Sequence, residues 1–227
     1  MIISSGSKLL DKILNGGFRS GITTIYGPSS SGKTTTCLLT SINQSNKNKK
    51  VLFIDTENGF SVERIKQLSG DNFKNILDNI IVVKPKSFLE QEETIKKLNK
   101  TLDNFSLIIL DTITFFYRFE FANDLSQFKS INSSLINQLK ELKHFSKKHN
   151  VPILLTNQVY SDFNSRDDVK MVGGEILKRD SECIIKLQNT DTNIKEFTLI
   201  KHNSVKEKKQ IKFEIKEKGI FDYSSTK

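Results

Sequence analysis

The sequence predicts an α/β fold in which a mostly parallel central sheet is flanked by helices and extended by antiparallel C-terminal strands. Three observations predict it. A glycine-rich phosphate-loop pattern joins a β-branched strand to a helix at residues 27–34. Short, wholly apolar runs alternate with amphipathic stretches through the middle of the chain, the pattern of strands covered on both faces by helices. The last quarter then changes to strands in which apolar and charged residues alternate, the mark of one wet face. With 227 residues, 36% of them hydrophobic and 27% charged, the chain suits one folded α/β domain over 1–227.

Taken in order, Ser7 is placed to cap a short helix with Leu9, Leu10, Ile13 and Leu14 on its apolar face, ended by Gly16-Gly17. Ile22 to Tyr26 is β-branched and aromatic and reads as the strand that feeds the phosphate loop. A helix carrying Cys37, Leu38 and Leu39 continues from Thr34. Val51 to Ile54, Ile80 to Val83 and Leu107 to Leu110 are buried-strand runs. Between the last two, Ser87 and Glu90 form a capping box for a helix using Phe88, Ile95, Leu98 and Leu102. A longer helix spaces Phe128, Ile131, Leu135, Leu139 and Leu142 by threes and fours, and Val151 to Leu155 is the next strand. Ile184-Ile185, Phe197 to Ile200 and the alternation Ile211, Phe213, Ile215 read as antiparallel edge strands that extend the same sheet.

Composition limits the function classes. No stretch approaches the ~18 apolar residues of a membrane span, and Met1-Ile2-Ile3-Ser4 lacks the basic start of a secretory signal, so a cytoplasmic protein with no membrane partner is expected. Cys37 and Cys183 stand in apolar surroundings without C-x-x-C spacing, which suggests neither a zinc site nor a disulfide framework. The net charge of +9 suits a polyanionic partner. It equally suits a compositional bias at tolerant surface positions, since Asn, Lys, Ile and Ser abound while Ala occurs once and Trp never.

The residues Gly27, Pro28, Ser29, Ser30, Ser31, Gly32, Lys33 and Thr34 match G-x-x-x-x-G-K-[ST] in full. Small residues are required because successive backbone N–H groups must turn inward as an anion nest, to which the helix N-terminus adds partial positive charge. ATP with Mg²⁺ is the expected ligand: Lys33 for the β- and γ-phosphates, the Thr34 hydroxyl for the metal, and Thr35 for the α-phosphate. Asp111 ends an apolar run and so lies at the carboxyl edge of the sheet, where open α/β folds bind ligands, as a second metal ligand. Glu57 follows another such run and is placed to orient or deprotonate a water; the alternative is a turn into Asn58-Gly59. Gln158, after the Val151 run, is placed to bond a γ-phosphate, or is a solvated loop amide.

In this order the phosphate loop, Phe53-Ile54-Asp55-Thr56-Glu57, Leu110-Asp111, Thr156-Asn157-Gln158 and Gly173-Gly174 resemble the ATPase core of the RecA/RadA recombinase family. The resemblance covers nearly the whole chain and implies a RecA-like P-loop NTPase fold. A core without a preceding helix-hairpin-helix domain is expected. The endings Leu199-Ile200-Lys201-His202, Phe213-Glu214-Ile215 and Gly219-Ile220 resemble the short archaeal branch of the family. The resemblance implies Lys33 and Thr34 on phosphate and metal, Glu57 as catalytic carboxylate, Asp111 in the metal shell and Gln158 as γ-phosphate sensor. As partners it implies DNA, a RadA-type recombinase or other repair proteins, and further copies of the chain.

Two DNA-binding loops are implied as well, one near Arg118 and one holding Arg166 and Lys170. Each nets −1: Arg118 against Glu120 and Asp124 over 117–124, and Arg166 with Lys170 against Asp162, Asp167 and Asp168 over 161–172. Phe163 offers a stacking ring, but strand binding also needs a basic groove. Positive charge gathers later, with seven Lys against three Glu over 201–218, either a solvated face or a DNA-facing strip. Lys201-His202 resembles an element that reaches the γ-phosphate of a neighbouring subunit, with Asn203 where a basic residue is expected. Phe115, Phe116, Tyr117, Phe119 and Phe121 are assigned to core and partner surface. Phe119-Glu120-Phe121-Ala122 matches Phe-x-x-Ala, a polymerisation pattern that in the family precedes the core, and is read as coincidence. The expected function is an ATP-binding, weakly hydrolysing recombination and repair protein. The rival readings are a KaiC-like signalling ATPase and a non-catalytic, ATP-dependent recombination mediator.

Overall fold

Strands and helices alternate along the chain from β1 (Ile2–Ile3), α1 (Lys8–Ile13) and β2 (Phe18–Arg19) to β3 (Gly21–Tyr26) and α2 (Lys33–Ser45). There follow β4 (Lys50–Asp55), α3 (Val62–Ser69), α4 (Phe73–Leu77), β5 (Ile80–Val83), α5 (Phe88–Leu98) and β6 (Phe105–Asp111). Next come α6 (Phe115–Asn123), α7 (Phe128–His149), β7 (Pro152–Asn157), β8 (Val159–Ser161), β9 (Val169–Met171) and α8 (Gly174–Asp180). The chain closes with β10 (Cys183–Asn189), β11 (Ile194–His202), β12 (Gln210–Lys216) and β13 (Gly219–Asp222). This is a computed structural model, and it describes residues 1–100, 104–123, 128–161, 169–190, 193–205 and 207–223.

Among the described residues nine strands form one sheet in the order β13-β12-β11-β10-β3-β7-β6-β4-β5. From β10 to β5 neighbours run parallel, and from β10 to β13 they run antiparallel. This is the expected mostly parallel sheet with antiparallel C-terminal strands. Every residue of β3, β6 and β7 is buried, because α2, α3 and α4 cover one face and α5 and α7 the other. Alternate residues of each strand serve the two layers: Phe53, Leu107 and Ile109 pack toward Cys37 and Leu38, whereas Ile54, Ile108 and Leu110 pack toward Leu135, Leu139 and Leu142.

Three local expectations change. The Ile184-Ile185 strand is not an antiparallel edge; β10 pairs parallel with β3, Cys183 opposite Thr23 through Lys186 opposite Tyr26, and sits inside the sheet. A short apolar run reports burial but carries no information about which distant strand it meets. Ser7 occupies the N-cap position of α1 without a side-chain cap bond. The turn is held instead by the Asp11 carboxylate, which accepts from the Ser4 hydroxyl at 2.5 Å and the Ser5 N–H at 2.7 Å. At α5, Ser87 Oγ accepts from Glu90 N as expected, but the Glu90 carboxylate takes its return bond from Lys86 N at 2.8 Å rather than from Ser87. Leu102, expected on that helix, lies outside the described residues.

Candidate functional site at the carboxyl edge of the sheet

Parallel register brings the strand ends together: Tyr26 lies opposite Asn157 across β3 and β7, and Asp55 opposite Asp111 across β4 and β6. Four polypeptide turns therefore leave the sheet side by side. The first is the phosphate loop. Its bend is set by Ser30 at φ 59° and by Gly32 at φ 103°, the left-handed N-cap of α2. Gly27 has no room for a side chain, since a Cβ there would sit 2.2 Å from the Leu187 carbonyl oxygen of β10; at Gly32 the left-handed backbone excludes other residues, and the Ile215 side chain of β12 packs over it.

Lys33 folds back over this loop and donates from Nζ to the carbonyls of Gly27 at 2.9 Å and Pro28 at 2.8 Å. Burial pulls its ammonium below the usual lysine range, against the opposing pull of Asp111 and Glu57. Ser29 and Ser30 are exposed at the loop apex, while the Ser31 hydroxyl is buried with no hydrogen-bond partner. A buried, unpaired hydroxyl is costly unless something binds it, and at the N-terminus of α2 an oxyanion fits that position.

Thr34 donates from Oγ1 to Asp111 Oδ2 at 2.7 Å, and Thr156 donates to the other oxygen, Oδ1. Burial raises the Asp111 carboxyl above its ordinary range, and these two hydroxyls oppose the shift. Thr34 and Asp111 offer the hard oxygen donors that Mg²⁺ takes. Among the described residues no group of three or more His, Cys, Asp or Glu could hold a metal by itself. The pair thus fits an ion that draws its remaining ligands from phosphate and water.

Glu57 follows β4 beyond Asp55, whose carboxylate accepts the N–H groups of Gly59 at 2.9 Å and Phe60 at 3.1 Å and fixes the Asn58-Gly59 turn. Thr56 and Thr112 lock this turn to the one after β6, Thr112 N donating to Thr56 Oγ1 at 2.7 Å and Thr56 Oγ1 donating to Thr112 O at 2.9 Å. Gln158 donates from Nε2 to Glu57 Oε1 at 2.7 Å, and its own Oε1 accepts from the Arg118 guanidinium. A cavity of about 490 Å³ opens on the phosphate loop itself, lined by Lys33, Thr34 and Thr35 on one side and by Arg64, Lys195 and Lys216 on the other.

The other residues singled out from sequence fall elsewhere. Lys170 is exposed on β9, in the small antiparallel hairpin that β8 and β9 form after Gln158. Arg166 and Phe163 lie outside the described residues. Lys201 donates to the carbonyls of Lys178 at 3.0 Å and Ser181 at 2.6 Å, closing the C-terminal end of α8 at the opposite edge of the sheet from its own phosphate loop. Phe119 is exposed on α6.

Several groups at the site went unread in the sequence. Thr156 had no assigned role although it holds Asp111. Asn157 joins Thr114, whose hydroxyl it accepts, to Val172 O, to which it donates at 2.8 Å. Arg64 clamps the turn after β12, donating to the carbonyls of Lys216 at 2.9 Å and Glu217 at 3.1 Å. Thr156 and Asn157 carried a usable signal, being polar residues at the buried end of an apolar strand; Arg64 carried none.

The strand order, the loop between β3 and α2 and the carboxylates at the ends of β4 and β6 define a RecA-like α/β fold. The chain belongs to the Rad51 family, whose description matches residues 1–223. It is similar to the DNA repair and recombination protein RadB of Methanobrevibacter smithii, at 40% identity over 93% of this chain and 92% of that one. It is also similar to the RadB of Methanocaldococcus jannaschii, at 39% identity over 93% and 98%. The crystal structure of the RadB recombinase matches with a TM-score of 0.81 at 35% identity, covering 97% of this chain and 99% of that one. Among the described residues no helix is long and apolar enough to cross a membrane.

Proposed function

We propose that this chain binds ATP with Mg²⁺ at the loop between β3 and α2, hydrolyses it slowly, and serves homologous recombination by contacting DNA and a RadA-type recombinase. The observation that carries the reading is the cradle itself: a loop with no room for a side chain at Gly27 and a left-handed glycine at Gly32, holding one cation and one unpaired buried hydroxyl. An entering triphosphate supplies oxygens for both. Lys33 exchanges two carbonyls for phosphate oxygens, Ser31 and the backbone N–H groups of residues 29–34 complete the nest, and Thr34 with Asp111 hold the metal. Bound Mg²⁺ neutralises phosphate charge. Glu57 acts as the base or water-orienting carboxylate, and Gln158, bonded to it, acts as the γ-phosphate sensor.

Membership in the Rad51 family and the repair role stated for the RadB relatives support recombination over a signalling ATPase. DNA contact belongs to the exposed cations Arg118 and Lys170 on the side of the site, with Arg166 between Lys170 and Gln158 in sequence. Lys201 is not assigned a role on a neighbouring subunit, since its ammonium already closes α8. The non-catalytic mediator is the second reading, favoured by the bond that holds the Glu57 carboxylate to Gln158.

Lys33→Ala tests the site. Nucleotide affinity should fall by at least a factor of about 100, corresponding to roughly 3 kcal/mol for a charge-assisted phosphate contact. Retained affinity in equilibrium binding overturns the assignment. Turnover of the wild-type chain with and without single-stranded DNA separates the readings: stimulation supports the enzyme, and a salt-sensitive DNA complex without turnover supports the mediator.

A further inference from the structure

The large sheet ends at β13, which among the described residues pairs only with β12, from Phe213 opposite Asp222 to Lys216 opposite Gly219. In an antiparallel pair alternate residues direct their N–H and C=O groups away from the partner. The outer side of Gly219–Asp222 is therefore an open sheet edge. A cavity of about 490 Å³ lies beside this edge, between β13 and α1. Leu39 and Ile220 are its buried apolar lining, Leu9 is half-buried, and Phe221 is 42% exposed. Lys8, Lys12 and Lys218 also line it, against the single carboxylate of Asp222. All three lysines are exposed, and among the described residues none of them is in an ion pair.

We propose that this edge is a docking site for an extended acidic segment of a partner protein, which adds as a further strand beside β13 and sets its carboxylates against Lys8, Lys12 and Lys218. Strand addition draws its affinity from main-chain hydrogen bonds and its specificity from alternate side chains. A segment that alternates apolar with acidic residues answers both halves of the groove, giving Leu9 and Phe221 an apolar neighbour and the lysines a counter-charge. The chain's net charge of +9 steers the same ligand from a distance.

Two other occupants fit less well. A nucleic acid satisfies the lysines but offers no peptide groups to the β13 backbone. A second copy of this chain offers a strand, but pairing β13 with β13 brings two sets of the same three lysines together, and like charges across a sheet are destabilising. The docking edge shares no lining residue with the cavity at the phosphate loop, so a partner held here leaves the nucleotide entrance open.

The test starts from random peptides displayed on phage and selected on the full wild-type chain. Enriched sequences should alternate apolar residues with Asp or Glu. The strongest of them, synthesised with a fluorophore, is then measured by anisotropy. The variant Lys8→Glu/Lys12→Glu/Lys218→Glu should bind it at least about 10-fold more weakly at low salt, with the gap narrowing as salt screens the exposed charges. Phe221→Ala should weaken it as well. Two N-methylated forms of the peptide, blocked at one or the other alternating set of nitrogens, separate strand addition from charge alone: one form should lose binding and the other keep it. That comparison uses the wild-type chain and so stands even where a variant fails to fold. No enrichment, enrichment of basic or patternless sequences, undiminished binding by the charge-reversed variant, or equal binding of both methylated forms overturns the proposal. Displacement of the peptide by oligothymidylate, which assigns the lysines to nucleic acid, overturns it too.

Discussion

The two flanks of β3 contribute to the site in different ways. On one side β7, β6 and β4 lead to Gln158, Asp111 and Glu57, the groups proposed for the chemistry. On the other, β10 and β12 contribute contact surface, namely the Leu187 carbonyl against Gly27 and the Ile215 side chain against Gly32. One flank carries the groups proposed for the chemistry and the other packs against the loop. Substitutions on the first should change reaction and ligand binding while the fold persists; substitutions on the second should be felt first as lost stability.

Glu57→Gln is expected to have the largest effect and to confine it to the chemical flank. The single-turnover rate of bound ATP should drop about 10²- to 10⁴-fold, the usual contribution of a positioned general base, with nucleotide affinity little changed. An unchanged rate removes Glu57 from the mechanism. Phe213→Ala probes the opposite flank. Phe213 is fully buried on β12 among Phe197, Leu199 and Ile220 and is continuous with the core over α2. Its truncation should cost about 3–5 kcal/mol in denaturant unfolding, with one cooperative transition. A cost under about 1 kcal/mol shows that the antiparallel strands are not part of the shared core.

Asp111→Asn should have the smallest effect on stability and carries a pH signature. Burial, opposed by the Thr156 and Thr34 hydroxyls, raises the Asp111 carboxyl in the folded chain. A carboxyl whose folded value lies above its unfolded one binds its proton more tightly in the native state, so its charged form costs stability above that value. The cost fades as pH falls through it. The nucleotide-free Asp111→Asn variant should therefore unfold at a slightly higher temperature than the wild type at neutral pH, with the gap closing on acidification. The same variant should lose the Mg²⁺ dependence of nucleotide binding. A lower neutral-pH midpoint contradicts the assigned cost.

Much of this was legible because it is local. The phosphate loop between a β-branched strand and a helix, and the apolar runs at Val51, Ile80, Leu107 and Val151, are patterns within a few residues, and parallel strands covered on both faces must be continuously apolar. A carboxylate at the end of such a run has one place to be, and Asp111 is there. Relations between distant segments could not be read. Nothing within Cys183 to Asn189 reveals that β3 is its neighbour, since the same apolar residues would fill an antiparallel strand equally well. Nor did Arg118 and Gln158 carry any mark of their mutual bond. The lysine-rich stretch over 201–218 reads as a charge pattern, but one of its members, Lys201, is used to close a helix.

The two tight glycines also bear on when the site comes into being. Gly27 and Gly32 leave the ribosome early, whereas Leu187 and Ile215, against which they close, leave it late. Synthesis proceeds residue by residue and folding follows it. A nascent chain that has emerged only as far as Gln158 already contains the whole loop motif and every acidic and amide side chain assigned to the chemistry, yet lacks the strands that pack against the loop. The packing around the loop is therefore completed only after β12 has been made.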